Sequence, residues 1–252
     1  MIAGTSAGAV VQSANVMIVR GKSNRGIVEG AHEGCEYDRS ALQYISGGGF
    51  GFFEYGIIDS HFSERGREGR SIRLASDTGI DMVFGIDEAT SLVVTEAHSP
   101  NARMKVIGQN GVQIFDLSKA VTKINDQGLW SIKNVKSSYL TEGDQYIPKK
   151  GKIIFDPKKK SISNQEAYRG RISSSKDIFS SRKGAQREFI NQALKLVNTL
   201  NLNVAYGYPR SKDAKYKVVL NKTERTKAYY FEQDDERLIS YTGLKIAIRP
   251  KE

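Results

Sequence analysis

The spacing of apolar and polar positions divides the chain into a first half of alternating helix-like and strand-like runs and a sparser second half. AGAVVQSANVMIV, residues 7–19, is apolar and rich in small side chains, and predicts a helix packed behind a turn. Residues 20–40 are polar, glycine-rich and without period, which predicts a loop. After a glycine run at 47–49, Tyr55 to Ile58 reads as a buried strand ending at Asp59 and His61. Residues 63–79 set Ile72, Leu74 and Ala75 among charges and stop at Gly79, a helix pattern. Residues 80–96 read as strand, a turn at Asp87-Glu88, and strand again. Residues 104–118 place an Asn110-Gly111 hairpin signal between two apolar runs.

Further on, residues 139–156 predict short strands around turns, and 160–177 a polar, serine-rich linker. Phe189, Ile190, Ala193, Leu194, Val197 and Leu200 fall on one helical face, predicting an amphipathic helix over 185–200. Residues 215–222, 226–233 and 238–250 read as strands. The alternation in the first half points to a layered α/β class.

Composition narrows this picture. A chain of 252 residues can bury a sizeable core as one large domain or two small ones. No apolar run approaches the roughly 18 residues of a membrane span, so no membrane partner is expected. The apolar start lacks the basic region of a signal peptide. Cys35 is the only cysteine, which excludes an intrachain disulfide and a cysteine metal cluster. A cytoplasmic location is expected, with secretion as the alternative. Charge is uneven: residues 1–117 carry 10 Lys+Arg against 14 Asp+Glu, and residues 118–252 carry 28 against 14. A basic half suits a polyanion, but its lysines are scattered apart from PKKGK and DPKKK, and there is no nucleic-acid-binding signature. A solvated lysine-rich surface is the expectation, with no nucleic-acid partner.

Candidate chemistry begins at Gly4-Thr5-Ser6-Ala7-Gly8, the G-x-S-x-G spacing of a nucleophile elbow. By itself the pattern also fits a glycine-rich helix start holding an anion. A serine hydroxyl needs a base, and histidine is the usual one. His32 lies in the aperiodic loop and His98 beside Pro100 in a turn. His61 stands just past a strand, where α/β sheets place active groups. A carboxylate normally fixes such a base, and Asp59, Asp87 and Glu88 are all near strand ends.

GTSAGA, GIIDSHFSERGREGR and FGIDEATSLVV, in that order, closely resemble cyanophycinase and its relatives, serine exopeptidases related to dipeptidase E. The likeness covers about Ile2 to Leu117, with a fainter echo in VKSSYLTEGDQY. It implies a class I glutamine amidotransferase-like three-layer α/β/α fold over residues 1–150, with residues 151–252 a basic α+β extension. It implies Ser6 as nucleophile, His61 as base and Glu88 as the carboxylate, and Ala7 N–H gives one oxyanion-hole donor. It marks Asp59, Arg65, Arg67 and Arg70 as pocket residues, and Ser60 stands where the family often has glutamine. Arg67, Arg70 and Arg73 also fit one solvated helix face. The implied substrate is cyanophycin, a polyaspartate with arginine on each β-carboxyl, or a related aspartyl peptide, released as β-Asp-Arg dipeptides. No metal or organic cofactor is implied. The rival is a catalytically incomplete protein binding an anionic polymer or a partner protein.

An elbow serine normally ends a central strand, and only Met1, Ile2 and Ala3 precede the motif. The expectation is therefore the second part of a longer protein, crippled alone. An upstream polypeptide would supply the missing strands and the second oxyanion donor. That polypeptide and a homodimer mate are the candidate protein partners.

Overall fold

The structure, a computed structural model, describes residues 1–35, 38–163, 171–210, 216–233 and 236–251. It is mixed α/β, with strand outweighing helix. Part of the expected linker, residues 164–170, lies outside the described residues.

The frame is a ten-stranded sheet. Its main path joins β4 (Ile57–Ser60), β5 (Met82–Ile86), β8 (Gly111–Asp116), β10 (Trp130–Thr141), β17 (Glu236–Pro250), β16 (Lys227–Gln233) and β13 (Lys160–Ser161). β9 (Val121–Ile124) pairs with β10, and β15 (Tyr216–Asn221) joins β17 to β14 (Val204–Gly207). Only β4 and β5 run parallel within it, Ser60 opposite Ile86. The sheet passes without a break from residues before 150 to residues after it. The basic region is therefore built into the same sheet, because β10 pairs with β8 on one side and β17 on the other. Two smaller sheets flank it: β1 (Met17–Arg20), β3 (Leu42–Ile45) and β2 (Ala31–Glu33); and β12 (Lys152–Ile154), β11 (Gln145–Ile147), β7 (Arg103–Gly108) and β6 (Thr90–Thr95).

Successive side chains on a strand point to opposite faces, and here both faces are buried. Ile57, Val83, Phe115 and Tyr139 enter one core, against α3 (Glu68–Thr78) and α4 (Glu188–Val197). Ile58, Phe84, Ile114 and Leu140 enter the other, with Met104, Val106 and Tyr146 of the four-stranded sheet. A second sheet thus stands on the face where an α/β/α arrangement puts helices.

Four expectations need correction. The first helix, α1, covers only Ala7–Val10. Gly49 and Phe50 donate backbone N–H bonds to Ser13 and Val11, and a Cβ on Gly49 would lie 2.0 Å from the Val11 oxygen, so the glycine run closes over that end. The expected loop at 20–40 holds α2 (Ser23–Glu29) and β2. Asn110-Gly111 is not a hairpin, because β7 and β8 enter different sheets. Leu200 lies beyond α4 and is exposed. Residues 1–5 form no strand.

Candidate active site

The parallel register of β4 and β5 brings their carboxyl ends side by side, so His61 and the Asp87-Glu88 turn leave the sheet together. Both turns are sharp: His61 has φ 45° and Ala89 φ 52°. Behind His61, the Phe62 ring is fully buried across β5. It fits because residue 85 is glycine, where a Cβ would meet the ring at 2.3 Å.

Ser6 precedes α1 with φ 54° and ψ −119°, strained for a residue with a side chain. Serine in this place usually caps the helix through its own oxygen. Here it makes no cap bond, and its Oγ lies 2.8 Å from His61 Nε2. His61 Nδ1 lies 2.7 Å from Glu88 Oε1. A carboxylate at Nδ1 holds the proton there, so Nε2 accepts the Ser6 hydroxyl proton. The Ala7 N–H opens α1, where backbone donors lack intrahelical acceptors. Of the motif's two glycines, Gly4 is sterically required: a Cβ there would lie 2.0 Å from the Gly8 oxygen, whereas a Cβ on Gly8 meets open space.

The three candidate carboxylates part company. Glu88 meets the ring. Asp59 is fully buried and accepts from Arg70 Nε and Nη2 at 2.8 and 2.7 Å, Arg67 Nη1 at 2.9 Å, Ser71 Oγ at 3.0 Å and the Ser60 N–H at 2.9 Å. Burial alone would raise its pKa, but the charges of Arg70 and Arg67 outweigh it and hold the carboxyl below its ordinary value. Arg67 also donates to the Ser60 carbonyl, and burial brings its pKa down to about 10 despite Asp59. Arg67 and Arg70 are thus engaged by Asp59, while Arg65 is exposed with no ion pair among the described residues. The other two histidines are distant from this chemistry: His32 is exposed on β2, and His98 pairs with Glu54.

Asp87 belongs to a buried cluster that the sequence did not suggest. It accepts the Ser63 N–H at 2.9 Å and the Tyr139 hydroxyl at 2.7 Å, and Arg187 Nη2 lies 3.3 Å away. Arg187 also donates to Glu64 Oε1 at 2.7 Å and to the Tyr139 oxygen at 2.9 Å. Burial, then the Glu64 charge, raise the Asp87 pKa to about 6 against the pull of Arg187. Glu68 Oε2 is buried nearby without a partner among the described residues, and burial pushes that carboxyl well above its usual range. Nothing in the polar run around Arg187 signals this role, since its partners lie more than 45 residues away in sequence.

No family model matches the chain.

Proposed function

We propose that this chain is a cyanophycinase-like serine peptidase acting on β-linked aspartyl peptides through an acyl-enzyme. The observation that carries the reading is the relay from Ser6 through His61 to Glu88, at 2.8 and 2.7 Å, with Ser6 on a strained turn. Ser6 Oγ attacks the peptide carbonyl while His61 Nε2 takes its proton. The carbonyl oxygen becomes negative and meets the Ala7 N–H. His61 then gives the proton to the departing amine, and the same steps with water release the acid. Glu88 keeps the imidazole in the working tautomer. Of the three marked arginines, Arg65, exposed and without an ion pair among the described residues, is the one to meet a substrate carboxylate. The parallel β4–β5 pair backed by α3 is read as the amidotransferase-like part of the fold, with no metal or organic cofactor in the reaction.

A fluorophosphonate probe should label the folded chain at Ser6, and in any preparation that turns over cyanophycin the products should be β-Asp-Arg dipeptides. A cooperatively folded chain that neither labels nor releases dipeptide would overturn the peptidase reading and favour a binding protein.

A further inference from the structure

Lysines scattered along the sequence gather in space around one groove of about 680 Å³. Lys136 of β10 and Lys245 of β17 line it, with Lys152 at the start of β12 and Lys150 at the end of the turn before that strand. Arg225 comes from the turn before β16, Lys227 from the start of that strand, and Lys119 from the turn after β8. None of these cations has a carboxylate within ion-pair distance among the described residues. The one acidic residue in the lining, Asp116, accepts the Ser118 N–H and hydroxyl at 3.0 and 2.6 Å. Lys136 and Lys245 are direct cross-strand partners, a like-charge placement that destabilises a sheet, although Lys136 also faces Asp116 across β8. Seven cations drawn from separate segments thus meet at one groove with a single carboxylate in its lining, and Lys245 Nζ donates to the Asn134 carbonyl at 3.4 Å.

β12, which contributes Lys152 and Ile153 to the lining, is an edge strand. β12 pairs with β11 on one side and with no strand on the other among the described residues. Phe155, just past it, stacks on Tyr229 of β16 with ring centroids 4.3 Å apart and joins the two walls. A lysine on an edge strand commonly serves to keep other chains away, and Lys152 alone would need no further reading. An open edge beside six more cations without an ion pair among the described residues suits an extended chain that pairs through its backbone and carries carboxylates. Nucleic acid would use the charge but not the edge. The groove is separate from the relay. Asp116 is five residues along β8 from Gly111, whose carbonyl accepts the Asp87 N–H, or about 17 Å at 3.4 Å per residue.

We propose that this groove docks an extended acidic polypeptide, which adds along the free edge of β12 with its carboxylates among the lysines. The test is fluorescence anisotropy with labelled deca-aspartate at low salt, on the whole chain. Lys136→Glu and Lys245→Glu together should weaken binding at least tenfold, and Lys195→Glu, on α4 away from the groove, should change it less than twofold. Lys245→Glu alone should raise the melting temperature while lowering affinity, opposite shifts that misfolding would not produce. Deca-aspartate N-methylated at alternate residues, equal in charge but unable to pair as a strand, should bind at least tenfold more weakly. Absence of binding, equal losses at Lys195, or unchanged affinity after N-methylation would each overturn the proposal. Tighter binding of a ten-nucleotide thymidine oligomer would overturn it in favour of nucleic acid. These outcomes do not depend on whether Ser6 is catalytic.

Discussion

Arg187, from the basic C-terminal region, donates to Glu64 at 2.7 Å, and the other Glu64 oxygen accepts the Glu88 backbone N–H at 3.2 Å. Arg187 N–H also donates to the Ser63 carbonyl, and the Gln186 side chain donates to the Glu64 carbonyl. The turn after His61 and the turn bearing Glu88 are thus tied through a residue of the extension. Arg187 holds φ 63° at the start of α4 to do so.

Arg187→Met should therefore leave Glu64 and Asp87 together without their cation. Breaking such a buried pair by removing one partner is worth about 3–5 kcal/mol, and Arg187 is a quarter exposed, so the lower end is expected. Urea unfolding checks this. A loss under 1 kcal/mol would mean the cluster does not depend on Arg187.

Asp87 gives a pH signature. Its folded pKa, about 6, exceeds its ordinary 3.8, so between these values the folded state binds more protons than the unfolded one. Its contribution to stability is present below pH 3.8 and is lost as pH rises to about 6. At about 1.4 kcal/mol per unit, the loss is up to ~3 kcal/mol. Buried Glu68 acts with the same sign, and Asp59, whose pKa is lowered, acts with the opposite sign at the acid end. Melting temperatures across pH 4–7 should fall with pH, and Asp87→Asn should flatten the slope.

Asp59 and Glu88 separate structure from chemistry. Asp59→Asn removes the charge facing Arg70 and Arg67 and should destabilise by several kcal/mol, roughly the cost of an uncompensated buried cation. The fraction that stays folded should still label at Ser6. Glu88→Gln touches a half-exposed carboxylate and should leave the melt within about 0.5 kcal/mol while slowing labelling. The reverse pattern would move the carboxylate role to Asp59.

These elements were not equally legible in the sequence. The helix ending at Gly79, the strands around Asp87-Glu88 and the helix with Phe189 and Ile190 carry period and punctuation together, and the structure has them in place. The apolar pattern carries past the end of α1 because VVQSANVMIV is apolar on both sides of it, and the stop comes from Gly48 and Gly49 packing on it from afar. α2 offers only a buried Ile27 and a partly buried Val28 as apolar side chains, too little to stand out from its polar surroundings. The Asn110-Gly111 turn was visible, but which sheet each flanking strand joins depends on distant partners. In the site, His61 and Glu88 lie in turns that follow recognisable strands, whereas Ser6 is marked only by its glycine spacing. The buried support from Tyr139 and Arg187 is long-range and left no local pattern.

The elbow glycines should behave unequally. A Cβ on Gly4 meets the Gly8 carbonyl, which is backbone of the helix that Ser6 begins and has no room to yield. Gly4→Ala should thus displace Ser6 from His61 and lower the rate of Ser6 labelling by at least tenfold. Gly8→Ala adds a methyl in open space on a helix and should leave labelling within twofold. Equal sensitivity would show that Gly8 has a role the packing does not reveal.

The relay itself makes the sharpest prediction. Its three members differ in what their loss removes. Ser6→Ala deletes the attacking atom and His61→Ala the base that meets it, so each should lower dipeptide release by about five to six decades, and the double variant little further, because nucleophile and base act as a unit. Glu88→Gln keeps a side chain of the same shape at Nδ1 but stabilises the imidazolium less and permits the wrong tautomer, a loss of about 10⁴. Fluorophosphonate labelling should follow the same order, absent in Ser6→Ala and measurable in Glu88→Gln. If His61→Ala labelled as fast as the unaltered chain, the 2.8 Å contact between Ser6 and His61 would be a structural hydrogen bond and the proposed mechanism would fail.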